Sequence, residues 1–327
     1  MNNNTRHYVM SLVNITIQDA GMLTLVVDAG RSLAMQEVGF CVSGAADIRS
    51  YHLVNWLCGN PRHNAVFEVI GSFGMQVSEP CIVATGGPEF TLTVNGQPAS
   101  PWQAMALATG DILELCPARL GTRSYIGIAG QWALPLVAES QSIVMREGAG
   151  GLNNDGQPIR RHDQISIQTN DKPSRQLRSL LPHAIPDYSL GTALQMIPGY
   201  QYASFEGWQQ QLFFSSEYEV TNQIDRMGYR LKGQPIVCDT RTMRSEGINF
   251  GAIQLPPDGQ PIVMLSDRQT LGGYPKLGCV AEYDIYRLAQ AVPGDKVSFA
   301  PVDIDNARAQ WLLRHRLDQQ LFEGESQ

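Results

Sequence analysis

The sequence predicts a mainly β protein of two domains with a few short helices, on three observations. Short apolar, β-branched runs recur between clusters of Gly, Pro, Asn and Asp; an Asn-Gly pair sits in a hairpin setting; and only a few segments carry helical spacing. The 327 residues exceed the roughly 100 to 200 of a typical domain, so two cores are expected. Apolar residues at 43% against 17% charged supply material for packed interiors rather than a disordered chain.

In the first half the predicted strands are Leu23 to Val27, Cys81 to Ala84, Phe90 to Val94, Ile112 to Leu115, Ser124 to Ala129 and Ile165 to Ile167. Within TLTVNGQPA, Asn95 and Gly96 can take the positive φ values of a tight type I′ hairpin turn. One helix stands out, DIRSYHLVNWLCGN: Asp47 is a natural cap, Tyr51, Val54 and Leu57 or Cys58 follow helical spacing, and Gly59-Asn60 end it. Residues 170 to 190, polar and broken by Pro, read as the linker. The expected division is a first domain over 12–170, a linker over 171–190, a second domain over 191–302 and a C-terminal helix and tail over 303–327. The second half repeats the strand-and-turn style in EYEVTNQIDRMGYRL, GAIQLPPDGQPIVML and DKVSFAPV, with a short helix at AEYDIYRLAQA. The last helix is expected to set Ile304, Ala307, Trp311 and Arg314 or Leu317 near one face.

With 31 acidic and 24 basic side chains the net charge is −7, and no run of Lys and Arg offsets it, which argues against a nucleic-acid partner. The six cysteines, Cys41, Cys58, Cys81, Cys116, Cys238 and Cys279, are scattered without a CxxC pair and read as reduced and structural. Six histidines with no HExxH or other short ligand spacing give no metal site. The first residues lack the apolar core of a signal peptide, and no uncharged apolar run approaches the roughly 20 residues of a membrane span. A cytoplasmic protein without a membrane partner is expected.

Several motifs carry a resemblance. They are DRMGYRL from Asp225, SEG from Ser245 and GAIQLPPDGQPIVMLSDRQTLGGYPK from Gly251, with GMLTLVVDAGR from Gly21, VGFCVSGAAD ending at Asp47, Asn55, Gly59-Asn60, Glu68 and TGG from Thr85. On these the chain resembles, from about Asn14 to Val302, the allophanate hydrolase subunit 2 family. That family also includes the C-type component of 5-oxoprolinase, the antagonist of the Kip kinase inhibitor, and the carboxyltransferase region of urea carboxylase. The resemblance implies two cyclophilin-like β-barrel domains, and a Kip-inhibitor-like first-subunit partner, the B-type component of 5-oxoprolinase. In the 5-oxoprolinase form, a lactam-hydrolase subunit completes a complex that opens the lactam of 5-oxoproline to glutamate at the expense of ATP. In the urea carboxylase form, a carboxyl group passes from biotin to urea. This chain shows no Met-Lys-Met biotinylation segment, so biotin would ride on a separate carrier. A third reading is a non-catalytic regulator that binds a Kip-like first subunit.

Amide resonance makes a small-molecule amide a poor electrophile, so either chemistry needs cations or N–H donors around developing negative charge. Donors cluster in two segments: Arg226, Tyr229 and Arg230, and Arg268, Gln269, Thr270, Tyr274 and Lys276. Glu246 and Asp267 can orient them or move a proton. The expected catalytic set is therefore Arg226, Tyr229, Glu246, Asp267 and Lys276. The competing reading makes DRMGYR a charged strand edge and Asp267-Arg268 a surface ion pair. Gly272-Gly273 before Tyr274-Pro275-Lys276 permits close backbone approach by a ligand, yet it is not a Walker A loop. In the first half Asp28, Arg31, Ser43 and Asp47 are candidate substrate contacts, Arg31 as a fork for a carboxylate, with helix capping the competing role for Asp47. Ser43 lacks the pattern of a hydrolase nucleophile.

The chain departs from the family at loops. Leu25 to Asp28 stand where members have Thr-Val-Gln-Asp, and Ser32-Leu33 where they have Pro-Gly. Gly130-Gln131 replace Gly-Gly, and Glu139-Ser140-Gln141-Ser142 replace Gly-Ser-Arg-Ser.

Overall fold

The computed structural model describes residues 11–169, 177–238 and 244–323. The extreme N-terminus, the first residues of the expected linker and the end of the C-terminal tail lie outside the described residues. Strand outweighs helix, 35% to 21%, as expected of a mainly β protein. By its internal contacts the chain forms two compact units. The first holds the residues up to Gly30 together with Arg49–Pro186, and the second holds Arg31–Ile48 together with the residues from Asp187 on.

The first unit contains a seven-stranded and a five-stranded antiparallel sheet. In the larger, Ser11–Asp19 lies between Gln164–Thr169 and Phe73–Val77; in the smaller, Arg123–Ile128 lies between Val66–Ile70 and Cys81–Gly86. Their inward positions are filled by Val13, Ile15, Ile17, Phe67, Phe73, Met75 and Ile126, all at or below 1% exposure, which is the alternation that a half-buried strand requires. The Asn-Gly hairpin joins Phe90–Val94 to Gln97–Ala99, with φ of 52° at Asn95 and 75° at Gly96. Helix α1, Ile48–Cys58, buries Tyr51, Leu53, Val54 and Leu57 and stops at Gly59, whose φ is 70°. Beyond it two amides fasten the neighbouring strand end. Asn60 Nδ2 donates to Ile128 O at 2.9 Å while its Oδ1 accepts Gly130 N at 3.0 Å, and Asn64 Nδ2 donates to Gly130 O at 2.8 Å.

The described part of the expected linker up to Pro186 is stitched to the first unit, and from Asp187 on it belongs to the second, where Asp187 O and Ser189 O accept from Tyr286 and Arg287. Ala104 N donates to Arg178 O, Leu180 N to Trp102 O, and the Arg178 guanidinium lies 5.1 Å over the Trp56 ring. The segment Arg31–Ile48, in contrast, packs with the second unit. Sequence order alone gave no sign of that exchange.

The second unit is an eight-stranded sheet whose outermost strands are Lys296–Val297 and Phe299–Pro301. Only Ser298 separates them, so the two edges must come together, and the sheet rolls into a nearly closed barrel. Phe299 stacks on Phe213 with ring centroids 4.9 Å apart, inside a core that also holds Tyr218, Leu231, Ile253, Val263 and Leu277. Phe213 belongs to helix α2, Gly207–Ser215, which the sequence reading missed because only Gln209 and Phe213 are buried on it and no apolar stripe announces it. Helix α3, Glu282–Ala289, lies where AEYDIYRLAQA predicted. Helix α4, Ile304–Glu323, forms as predicted, but its expected apolar face is not a buried one. Ala307 is buried, while Ile304, Trp311 and Leu317 are exposed and Arg314 covers the Tyr283 ring at 4.8 Å.

Candidate functional site

In the second unit one open polar cluster gathers around Glu246. The short strand Glu246–Gly247 pairs with Leu271–Gly272, and Lys276 begins the strand Lys276–Val280. The Lys276 ammonium stands 2.7 Å from Glu246 Oε1 and donates to Gly247 O at 2.9 Å. Gln201 Nε2 donates to the same carboxylate oxygen at 2.8 Å, while Gln201 Oε1 accepts the Lys276 backbone N–H at 2.7 Å. The Tyr200 hydroxyl donates to the other Glu246 oxygen. Burial works to raise the Glu246 carboxyl, but the hydrogen bonds from Lys276 and Tyr200 and the ammonium charge outweigh it and hold it below its ordinary value. The same bond to Glu246 pushes the Tyr200 phenol up. The cluster thus holds an ammonium, a phenol and a carboxylate within mutual reach, the set that proton transfer and oxyanion stabilisation need.

Gly272 sits over this cluster for a steric reason. A Cβ there would meet Ile248 Cδ1 at 2.5 Å and Gln254 Nε2 at 2.7 Å. Gln254, 2% exposed and paired in register with Lys276, keeps its Nε2 without a hydrogen-bond partner among the described residues. Gly273 and Tyr274 are exposed and Gln269 and Thr270 half-buried, so the glycine loop presents its ends to solvent. Tyr200 and Gln201 were not among the residues the sequence singled out. Tyr200 follows directly on Pro198-Gly199, and nothing in the local spacing links it to Glu246, 46 residues on.

The other candidates divide among different places. Arg226 and Asp267, expected to be catalytic, form a buried two-point ion pair, Nε to Oδ2 at 2.9 Å and Nη2 to Oδ1 at 3.0 Å. Arg226 Nη2 also donates to Gly44 O at 2.5 Å and lies 3.5 Å from Ser43 Oγ. Ser43 N donates to Ser266 O, Ser266 Oγ to Ala45 O, and Gln290 Nε2 to Asp47 Oδ2 at 2.9 Å. These bonds clamp the segment from Ser43 to Asp47 onto the unit. Asp47 directly precedes α1, at the cap position. Tyr229, also expected to be catalytic, is a core residue: it is fully buried and its hydroxyl donates to Ala289 O at 3.2 Å. Its alternation with Arg230 on the strand Gly228–Lys232 puts Arg230 on the opposite face, paired with Asp258 near the surface. Arg268 is buried, donates to Ile248 O at 2.9 Å and lies 5.7 Å over the Phe250 ring. Burial pulls its guanidinium value down. Arg31 is buried against Cys41 O and 5.0 Å over the Phe40 ring.

In the first unit the Asp28 carboxylate is the hub of the segment that replaces Gly-Ser-Arg-Ser. Its Oδ1 accepts Ser140 Oγ and Ser142 Oγ, each at 2.6 Å, and Gly30 N at 2.9 Å; Oδ2 accepts Gln141 N at 2.6 Å. Glu139, which stands where the family has glycine, has φ of 67°, and Ala138 before it has 51°. Both residues therefore hold a left-handed backbone at a conformational cost.

The comparisons with known proteins agree with this architecture. The family model described as carboxyltransferase domain, subdomain A and B, matches residues 38–301. The chain is similar to the C-type component of the 5-oxoprolinase of Escherichia coli, 30% identical over 305 residues that cover 93% of this chain and 94% of that protein. It is similar to the urea amidolyase of Saccharomyces cerevisiae, 25% identical over 94% of this chain but only 17% of that protein. The solved urea carboxylase of Kluyveromyces lactis shares the fold with a TM-score of 0.84 at 22% identity, over 96% of this chain and 29% of that one. The chain belongs to the family of the carboxyltransferase domain, subdomains A and B.

Proposed function

We propose that this chain is the C-type component of an ATP-dependent 5-oxoprolinase complex, acting with a first subunit of the Kip-inhibitor-like kind and a lactam-hydrolase subunit. The observation that carries the reading is that its similarity to the C-type component of a 5-oxoprolinase runs nearly the full length of both chains, whereas the urea amidolyase it resembles is several times longer. ATP is spent by the complex as the lactam is opened to glutamate.

The part assigned to this chain is the Glu246 cluster. Lys276 and Tyr200 are the donors that meet negative charge developing on an amide oxygen, and Glu246 holds both in place and takes up or returns a proton. Gln201 joins Glu246 to the Lys276 backbone, so one side chain keeps carboxylate and ammonium in register. The Arg226–Asp267 pair supports the segment from Ser43 to Asp47 and plays no direct chemical part.

The test is ADP release with and without 5-oxoproline, using this chain reconstituted with its two partner subunits. Stimulation that disappears when this chain is omitted, and in an assembled Lys276→Met complex, is the expected result. An assembled complex with no stimulation would overturn the reading. A second reading, a carboxyltransferase acting on an amide with biotin on a separate carrier, is favoured by the description of the matching family model. It predicts carboxyl transfer only when a biotinylated carrier is added.

A further inference from the structure

The first unit holds a cavity of about 590 Å³ that the proposed chemistry does not use, and its lining residues all belong to that unit. The volume suits a small molecule. The charge of the lining is one-sided: Asp28 and Glu139 stand in it without a Lys or Arg, and the other titratable side chains are His63 and the thiols of Cys58 and Cys81. Burial pushes both thiols up, to about 12 for Cys81, so they stay uncharged. An imidazole offers an acceptor when neutral. The neighbouring Arg62 is turned to His52, with Nη2 3.2 Å from Nδ1.

The amide donors of the lining are already used to fasten the walls. Asn60 Nδ2 donates to Ile128 O and Asn55 Oδ1, Asn64 Nδ2 to Gly130 O, and Gln141 Nε2 to Trp132 O and Leu134 O. An anion entering the cavity would meet like charge and few donors. The Asp28 carboxylate is committed too, to the four hydrogen bonds from Ser140, Ser142, Gly30 and Gln141, which fix its charge in place without neutralising it. Glu139 is the open group. It is exposed, and its carboxylate has no hydrogen bond or ion pair to another described residue. Its position is held by the left-handed backbone of Ala138 and Glu139 and by the two bonds between Val137 and Ser140 that close the turn around them. Ile82, Leu134 and the exposed Leu136 add apolar surface. Among the described residues no three His, Cys, Asp or Glu side chains converge to hold a metal ion, so the negative charge lies along the wall rather than at a point.

We propose that this cavity binds a primary organic ammonium with an apolar body, its charged head on the Glu139 carboxylate in the field of Asp28 and its body against Ile82, Leu134 and Leu136. A neutral amide forgoes the charge, and a small inorganic cation forgoes the apolar contact. Carboxylate-bearing compounds are disfavoured, 5-oxoproline and glutamate included, so the ligand is neither substrate nor product of the proposed reaction. The site shares no residue with the Glu246 cluster.

The experiment uses the full chain alone, so it does not depend on the complex or its activity. Calorimetric titration is run at fixed ionic strength and about pH 8, where histidine side chains are generally uncharged, with hexylammonium, methylammonium, hexanamide and hexanoate. Hexylammonium is expected to saturate a single site, methylammonium and hexanamide to bind at least about tenfold more weakly, and hexanoate not to bind. Glu139→Gln, at an exposed position, should weaken hexylammonium about fivefold. Glu114→Gln, which removes the same charge from an exposed strand position outside the lining, should leave it unchanged. No saturable binding of hexylammonium, equal binding of any of the other three compounds, or an equal effect of the two Gln variants would each overturn the assignment.

Discussion

At the scale of single residues, burial separates two carboxylate–cation pairs that look alike in sequence. Arg226 and Asp267 are both under 10% exposed and each is the other's two-point partner. Removing the guanidinium in Arg226→Met leaves Asp267 buried without its cation, and a stability loss of about 3–5 kcal/mol is expected by urea unfolding. The same substitution in a folded fraction should leave activity per assembled complex largely intact, which a merely catalytic arginine would not. Glu246 and Lys276 behave differently because they are more open. The Glu246 value is lowered on folding from its ordinary 4.5, so the pairing stabilises the fold above that value. As pH falls through the lowered folded value, that stabilisation is lost. The melting temperatures of the parent and Lys276→Met should therefore differ at neutral pH and converge in acid. A gap that persists after Glu246 is protonated would show that Lys276 stabilises by some other contact.

At the scale of elements, the glycine loop is held by what lies beneath it rather than by its own flexibility. Gly272→Ala places a methyl against Ile248 Cδ1 and the Gln254 amide, the far ends of side chains that can turn aside, so the pairing of Leu271–Gly272 with Glu246–Gly247 can be kept by side-chain shifts. The expected outcome is a folded chain by circular dichroism with at most a modest loss of 5-oxoproline-stimulated ADP release; a large loss would show that the loop backbone itself has moved. Gly278 is a harsher case. Its Cβ would lie 2.2 Å from the Ile197 carbonyl oxygen, backbone against backbone across paired strands. Gly278→Ala should yield little soluble protein, because neither atom belongs to a side chain that can turn away.

At the scale of the whole molecule, the segment Arg31–Ile48 makes the two units interdependent in chain order. A fragment beginning at Asp187 lacks Ser43, Gly44 and Ala45, and so leaves Arg226 and Ser266 without the backbone partners they use in the full chain. Such a fragment is expected to be recovered mostly insoluble, with solubility improved by co-expressing a peptide spanning 31–48. Equal recovery with and without the peptide would show that the clamp is dispensable for folding.

The strands around Asn95-Gly96, the helix from Ile48 and the mainly β class were legible because their causes are local: alternation, a turn pair and an apolar face ended by Gly59 within a dozen residues. The paired glycines Gly272-Gly273 marked a loop, but neither takes a positive φ, and it is close packing against Ile248 and Gln254 that calls for glycine at 272. Tertiary structure alone decided the rest. Tyr229 and Arg230 are neighbours in sequence, yet strand alternation sends one into the core and the other to the surface. Tyr200 and Gln201 join Glu246 and Lys276 from 45 to 75 residues away in sequence because the barrel lays Leu194–Pro198 beside Lys276–Val280. Composition and spacing report what a residue is and what its near neighbours are. Which distant groups share a site is set by sheet register and barrel closure, and no local pattern encodes those.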